Sequence, residues 1–135
     1  MSLAAAARVG DAVAAIATPA LVINLDALER NLQRMAGYAR EHGMRLRPHA
    51  KTHKSAAIAR LQIAAGAVGV CVQKLSEAQA LAAAGVDDLY ISNEVIDAAK
   101  LAELATLAGR ARLSLAVDSA LGVDRLAAAL KAAGT

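Results

Sequence analysis

At 135 residues and 57% hydrophobic, the chain has enough apolar material for one core, which excludes an intrinsically disordered segment. Its formal net charge of +3 is scattered among acids, and Tyr38 and Tyr90 are the only aromatics, so the basic run and stacking platforms of a nucleic-acid binder are missing. No apolar run reaches bilayer-spanning length, and a single cysteine, Cys71, excludes an internal disulfide and suits a reducing, cytoplasmic setting.

Residues 1–17 form an alanine-rich stretch interrupted by Arg8 and Asp11, with no basic segment ahead of its apolar part. It reads as a frayed or amphipathic arm, not a signal peptide. After Thr18-Pro19, residues 20–24 read as a strand that need not join the main sheet. A helix is predicted from Asp26, with Glu29 closing a capping box and Leu28, Leu32, Met35 and Ala39 as its apolar stripe. From there the chain repeats. Gly43, Gly66, Gly85 and Gly109 each follow a helical pattern and precede a short aliphatic run at residues 44–51, 68–72, 89–92 and 113–117, and Gly134 closes the last helix. These runs are predicted to be parallel strands joined by crossover helices. Pro48 lacks an N–H and predicts a local break in pairing. Ser76 and Gln79 suggest a second capping box ahead of a helix containing Leu81. The next helices carry Leu101, Leu104 and Leu107, then Leu121, Leu126 and Leu130. Cys71, within Val68-Gly69-Val70-Cys71-Val72, reads as a small buried hydrophobe.

An open dinucleotide-binding sheet should show G-x-G-x-x-G after its first strand, and neither that motif nor a P-loop occurs. The pattern favours an α/β chain of about four strand-helix units, part of a (β/α)8 barrel. A full barrel needs about 250 residues, so the chain is expected to be an N-terminal segment. Residues 1–17 would be the arm, 18–43 the first strand and helix, and 44–135 the N-terminal half of the barrel. Unpaired outer strands make such a segment alone an expected inactive, association-prone species.

Barrel chemistry collects at the C-terminal strand ends, which points to Lys51, Gln73 and Lys74, Ser92 with Asn93 and Glu94, and Asp118 with Ser119. Helix capping is the competing role for Asn93, Asp118 and Ser119. Lys51 stands out. Alternation places Arg45, Arg47, His49 and Lys51 on one face of the run and Met44, Leu46, Pro48 and Ala50 on the other. A lysine with an ordinary pKa of about 10.4 is almost wholly protonated at pH 7, and like charges with partial burial raise the nucleophilic fraction. Arg47 and Lys54 are predicted to be those charges. His49, two residues before the amine on the same face, could orient a cofactor ring or tune the amine, or could be a hydrogen-bonded core histidine. His49 and His53 make a poor metal pair, lacking both helical spacing and a third ligand.

The segments Thr18-Pro19-Ala20-Leu21-Val22-Ile23-Asn24-Leu25-Asp26, Arg47-Pro48-His49-Ala50-Lys51-Thr52-His53-Lys54, Val70-Cys71-Val72-Gln73-Lys74-Leu75-Ser76-Glu77-Ala78 and Ile91-Ser92-Asn93-Glu94-Val95 resemble, in order and spacing, the D-threonine aldolase family. That family includes 3-hydroxy-D-aspartate aldolases and D-serine dehydratases, on the alanine racemase-type fold of pyridoxal 5′-phosphate (PLP) enzymes. The resemblance implies that Lys51 forms the internal aldimine, with Arg47, His49, Gln73, Asn93 and Asp118 as cofactor-binding candidates. It implies cleavage of a D-3-hydroxy amino acid, D-threonine or 3-hydroxy-D-aspartate, to glycine and an aldehyde or glyoxylate. A D-serine dehydratase-like lyase and a non-catalytic PLP carrier are the alternatives. A homodimer is implied for the full-length protein. A divalent metal that assists at the β-hydroxyl is also implied, with ligands outside this chain and none among its residues.

Overall fold

The computed structural model describes residues 7–135, in two compact units that divide between Asn31 and Leu32. The expected arm therefore falls partly outside the described residues. Its described part holds one 3-10 turn, Val13–Ala15, preceded by a loop in which Asp11 Oδ2 accepts the Arg8 N–H at 2.7 Å. The strand expected at residues 20–24 joins no ladder, and Leu21, Val22 and Ile23 are exposed. A strand is held by a neighbour that satisfies its backbone groups, and no described residue supplies one.

Helix α1, Leu25–Glu41, starts one residue earlier than the capping-box reading allows. Asn24 Oδ1 accepts the Ala27 N–H at 2.9 Å, so Asn24 is the capping side chain and Asp26 lies in the first turn, where a carboxylate favours the helix dipole. Farther along, Ala36 and Ala39 are buried, while Met35, expected in the stripe, is exposed.

In the second unit β1, Val70–Val72, pairs in parallel with β2, Asp88–Ile91, which pairs in parallel with β3, Arg112–Leu115. The register sets Val70 beside Leu89, Cys71 beside Tyr90 and Val72 beside Ile91, then Leu89 beside Leu113 and Tyr90 beside Ser114. The helices between and around the strands are α2, Ala56–Ala64, α3, Leu75–Ala83, α4, Ala98–Ala108, and α5, Ala120–Ala133.

Residues 44–51 do not form the full strand expected. They contribute one bridge, His49 to Cys71, with hydrogen bonds from Val68 N–H to Leu46 O, Cys71 N–H to Pro48 O and Ala50 N–H to Cys71 O. Pro48 accounts for the thin pairing, because it can accept from β1 but cannot donate. The segment still lies along β1, opposite β2, and completes four strand-helix units.

One face of the sheet is apolar. Val70, Val72, Leu89 and Ile91 are fully buried in a cluster with Ala59 of α2, Ala78 and Leu81 of α3, and Leu104 and Leu107 of α4. Each such aliphatic side chain contributes roughly 1.5–3 kcal/mol of burial. The alternate positions, Asp88, Tyr90, Arg112 and Ser114, point to the other face and make it polar. His49, bridged to Cys71, belongs to that face, and Lys51 follows it in the next turn.

Candidate active site

The register sorts the polar face into levels. Arg47, Gly69, Asp88 and Arg112 lie at the N-terminal level; His49, Cys71, Tyr90 and Ser114 come next; Gln73 and Ser92 follow at the C-terminal end, and Lys51 lies in the turn after His49.

Arg47 is committed at the first level. Its Nη1 lies 2.7 Å from Asp88 Oδ1 and donates to Asp88 O at 3.3 Å, with both side chains about four-fifths withdrawn from water (23% and 18% exposed). Arg112 Nη1 reaches the other oxygen of Asp88 at 4.0 Å from an exposed position. Gly69 leaves the space: a Cβ there would overlap the Arg47 guanidinium and lie 2.5 Å from Asp88 O. Arg47 lies before the bridge at His49 and Lys51 in the turn after it. Lys54, the other cation expected to crowd the amine, pairs with Glu77 Oε1 at 3.4 Å. Lys51 is therefore not surrounded by uncompensated positive charge. Tertiary structure supplied carboxylates from 41 and 23 residues away along the chain, which local spacing could not reveal.

Lys51 is exposed, in the turn beyond the bridge, and forms no ion pair among the described residues. Its backbone N–H donates to His49 Nδ1 at 3.2 Å. The other ring nitrogen, Nε2, lies 3.2 Å from Ser92 Oγ, and that hydroxyl donates to Val72 O at 3.2 Å. Three segments thus converge on one imidazole. His53 sits in the same turn, partly buried, with Nδ1 accepting the Ser55 N–H at 3.0 Å. Burial lowers its pKa and so favours an uncharged ring, the form in which Nδ1 can accept the Ser55 N–H.

Gln73 is exposed at the end of β1, its backbone N–H bound to Glu77 Oε2 at 3.0 Å, and the Lys74 N–H binds the same oxygen at 3.3 Å. Glu77, rather than the expected Ser76 and Gln79 pair, thus closes the start of α3. Partial burial raises the Glu77 pKa, but the two amides and Lys54 outweigh it and hold the carboxyl below its ordinary value. Gln73 and Asn93 line a cleft of about 610 Å³ with Lys74, Glu94, Asp97 and Lys100. Asp118 is exposed after β3, and its neighbour Ser119 caps α5 by accepting the Gly122 N–H at 3.2 Å. Lys51 and His49 form one group, Gln73 and Asn93 a second, Arg47 the buttress below them, and Asp118 stands apart. Ser92 was visible in the sequence only as a polar residue at a strand end; its contact with His49 spans 43 positions.

An exposed lysine outside every described ion pair, its backbone amide bonded to an imidazole held on both nitrogens, suits a carbonyl cofactor carried covalently. By contrast, no group of three or more His, Cys, Asp or Glu able to hold a metal ion occurs among the described residues. Nor is any described helix long and apolar enough to cross a membrane.

Residues 23–135 match the family model for the alanine racemase N-terminal domain, and the chain belongs to that family. Among its relatives, D-threonine aldolase from Arthrobacter sp is 47% identical over 128 residues, which is 95% of this chain and 34% of the relative. The crystal structure of D-threonine aldolase from Filomicrobium marinum superposes with a TM-score of 0.95 at 51% identity, covering 98% of this chain and 36% of that one. D-threo-3-hydroxyaspartate dehydratase from Delftia sp. HT23 gives 0.81 at 39% identity, covering 89% and 32%. The chain spans about one third of the length of these proteins.

Proposed function

We propose that this chain supplies the cofactor-anchoring part of a PLP-dependent lyase, and specifically of an aldolase that cleaves D-3-hydroxy amino acids such as D-threonine or 3-hydroxy-D-aspartate to glycine and an aldehyde or glyoxylate. The observation that carries the reading is Lys51, an exposed lysine whose backbone amide is bonded to His49 in the turn after the bridge, in a fold that matches a D-threonine aldolase at a TM-score of 0.95. The aldolase is favoured over the dehydratase because its structure superposes better, at 51% and 0.95 against 38–39% and 0.81–0.84, and because its sequence match, at the same 47% identity, covers 95% of the chain against 58%.

When bound, PLP supplies an electron sink that lets a bond at the substrate Cα be broken. Lys51 holds the cofactor through its amine. His49 presents its imidazole on the polar face, fixed in plane by the Lys51 amide and the Ser92 hydroxyl. Gln73 and Asn93, exposed beyond β1 and β2, offer amide groups that accept or donate without adding charge, and Asp118 offers a carboxylate beyond β3. Arg47 is ion-paired with Asp88 at the N-terminal level of the same face.

Borohydride reduction of the full-length protein with PLP, followed by peptide mass spectrometry, is expected to label Lys51. Lys51→Ala should lose both the label and glycine release from D-threonine, an effect of at least ~1,000-fold on turnover for a covalent anchor. A label on Lys54 or Lys74 would refute the assignment. A 2-oxo acid and ammonia in place of glycine would select the dehydratase reaction, and labelling without turnover of any D-3-hydroxy amino acid would select a carrier.

A further inference from the structure

We infer that Ser92 is a positioning residue that fixes the tautomer and plane of His49, and through it the backbone of Lys51. The roles follow from counting protons. Ser92 Oγ has one, given to Val72 O at 3.2 Å, so the hydroxyl faces His49 Nε2 with a lone pair. His49 Nδ1 already accepts the Lys51 amide N–H at 3.2 Å and carries no proton while it does so. The ring proton is therefore on Nε2, aimed at Ser92. All three bonds run one way, from the Lys51 amide through the imidazole and the serine hydroxyl to the backbone of β1.

The backbone carbonyl that the Ser92 hydroxyl bonds does not depend on it. Val72 O also accepts the Ser92 backbone N–H at 2.9 Å, so removing the hydroxyl leaves that carbonyl bonded. What removal leaves without a partner is His49 Nε2–H. The ring is then free to rotate or to move its proton to Nδ1, and Nδ1–H opposes the Lys51 amide. The cost falls on the geometry two residues from the amine, where small misplacements are amplified in rate.

The function part of this inference rests on Lys51 as the cofactor anchor; the tautomer part does not. Nitrogen-15 NMR of histidine-labelled full-length protein should show His49 as a single Nε2–H tautomer, and Ser92→Ala should lose that signature. In the same variant the borohydride label should remain on Lys51, KM should stay within about threefold and kcat should fall ~10- to 100-fold, with Ser92→Thr restoring most of it. A His49 proton on Nδ1 in the parent protein, parental kcat in Ser92→Ala, or Ser92→Thr as slow as Ser92→Ala would each overturn the inference. The parent NMR measurement holds even if Ser92→Ala fails to fold. Loss of the label from Lys51 in the parent would strike the proposed anchor instead, with the NMR measurement then deciding the role of Ser92.

Discussion

Gly69 illustrates how a single residue can hold a layer together by what it lacks. The Arg47 guanidinium and the Asp88 carbonyl occupy the space that a side chain at Gly69 would need, and the carbonyl is backbone, so it cannot swing away. Gly69→Ala should therefore lower stability by about 1–3 kcal/mol through overpacking and displacement of Arg47 from Asp88, measurable by urea unfolding. An unchanged unfolding midpoint would show that the layer yields more easily than its distances indicate. Lys51 and His49 were legible as candidates from alternation, strand-end position and the R-P-H-x-K motif, all local. The partners of Arg47 and Ser92 were not, since they lie 41 and 43 residues away and are brought near only by strand register. That explains why Arg47 read as a cation crowding an amine when it is an ion-paired buttress.

Helix starts show the same division one scale up. The sequence offers several acceptors near each start, and spacing alone favoured Asp26 with Glu29 and Ser76 with Gln79. The backbone chose Asn24 and Glu77, because the entering chain sets which N–H groups are left over. Glu77→Ala removes the acceptor for two amides and the partner of Lys54, and is expected to cost about 1 kcal/mol of stability. Glu77→Gln, which keeps an acceptor oxygen, should recover part of that loss. Equal stability of both variants and the parent in thermal unfolding would count against this cap. For the aliphatic runs, three of the four predicted strands formed, with ends shifted by one or two residues; Pro48 reduced the run at residues 44–51 to one bridge.

At the scale of the whole molecule, the two shifted titrations point the same way. His53 in the folded state binds its proton less readily than an ordinary histidine of pKa 6.5, and Glu77 less readily than an ordinary glutamate of pKa 4.5. The unfolded chain therefore binds more protons at both sites, and acid favours it. The stabilisation linked to His53 is full above pH 6.5 and declines as pH falls towards its lowered value; that linked to Glu77 is full above 4.5 and declines in the same manner below it. Urea midpoints measured from pH 8 to pH 3 should fall in two stages, with His53→Gln flattening the upper stage and Glu77→Gln the lower; a midpoint that rises on acidification would contradict both. The sequence by itself determined the alternation of strand and helix, the buried leucines and valines, and the imidazole on the polar face with the lysine just after it, because period and turn chemistry are local properties of the chain. Tertiary structure decided which charges are paired, which side chains close each helix and which hydroxyl holds His49, because those choices depend on the parallel register that sets residues tens of positions apart at the same level of one sheet.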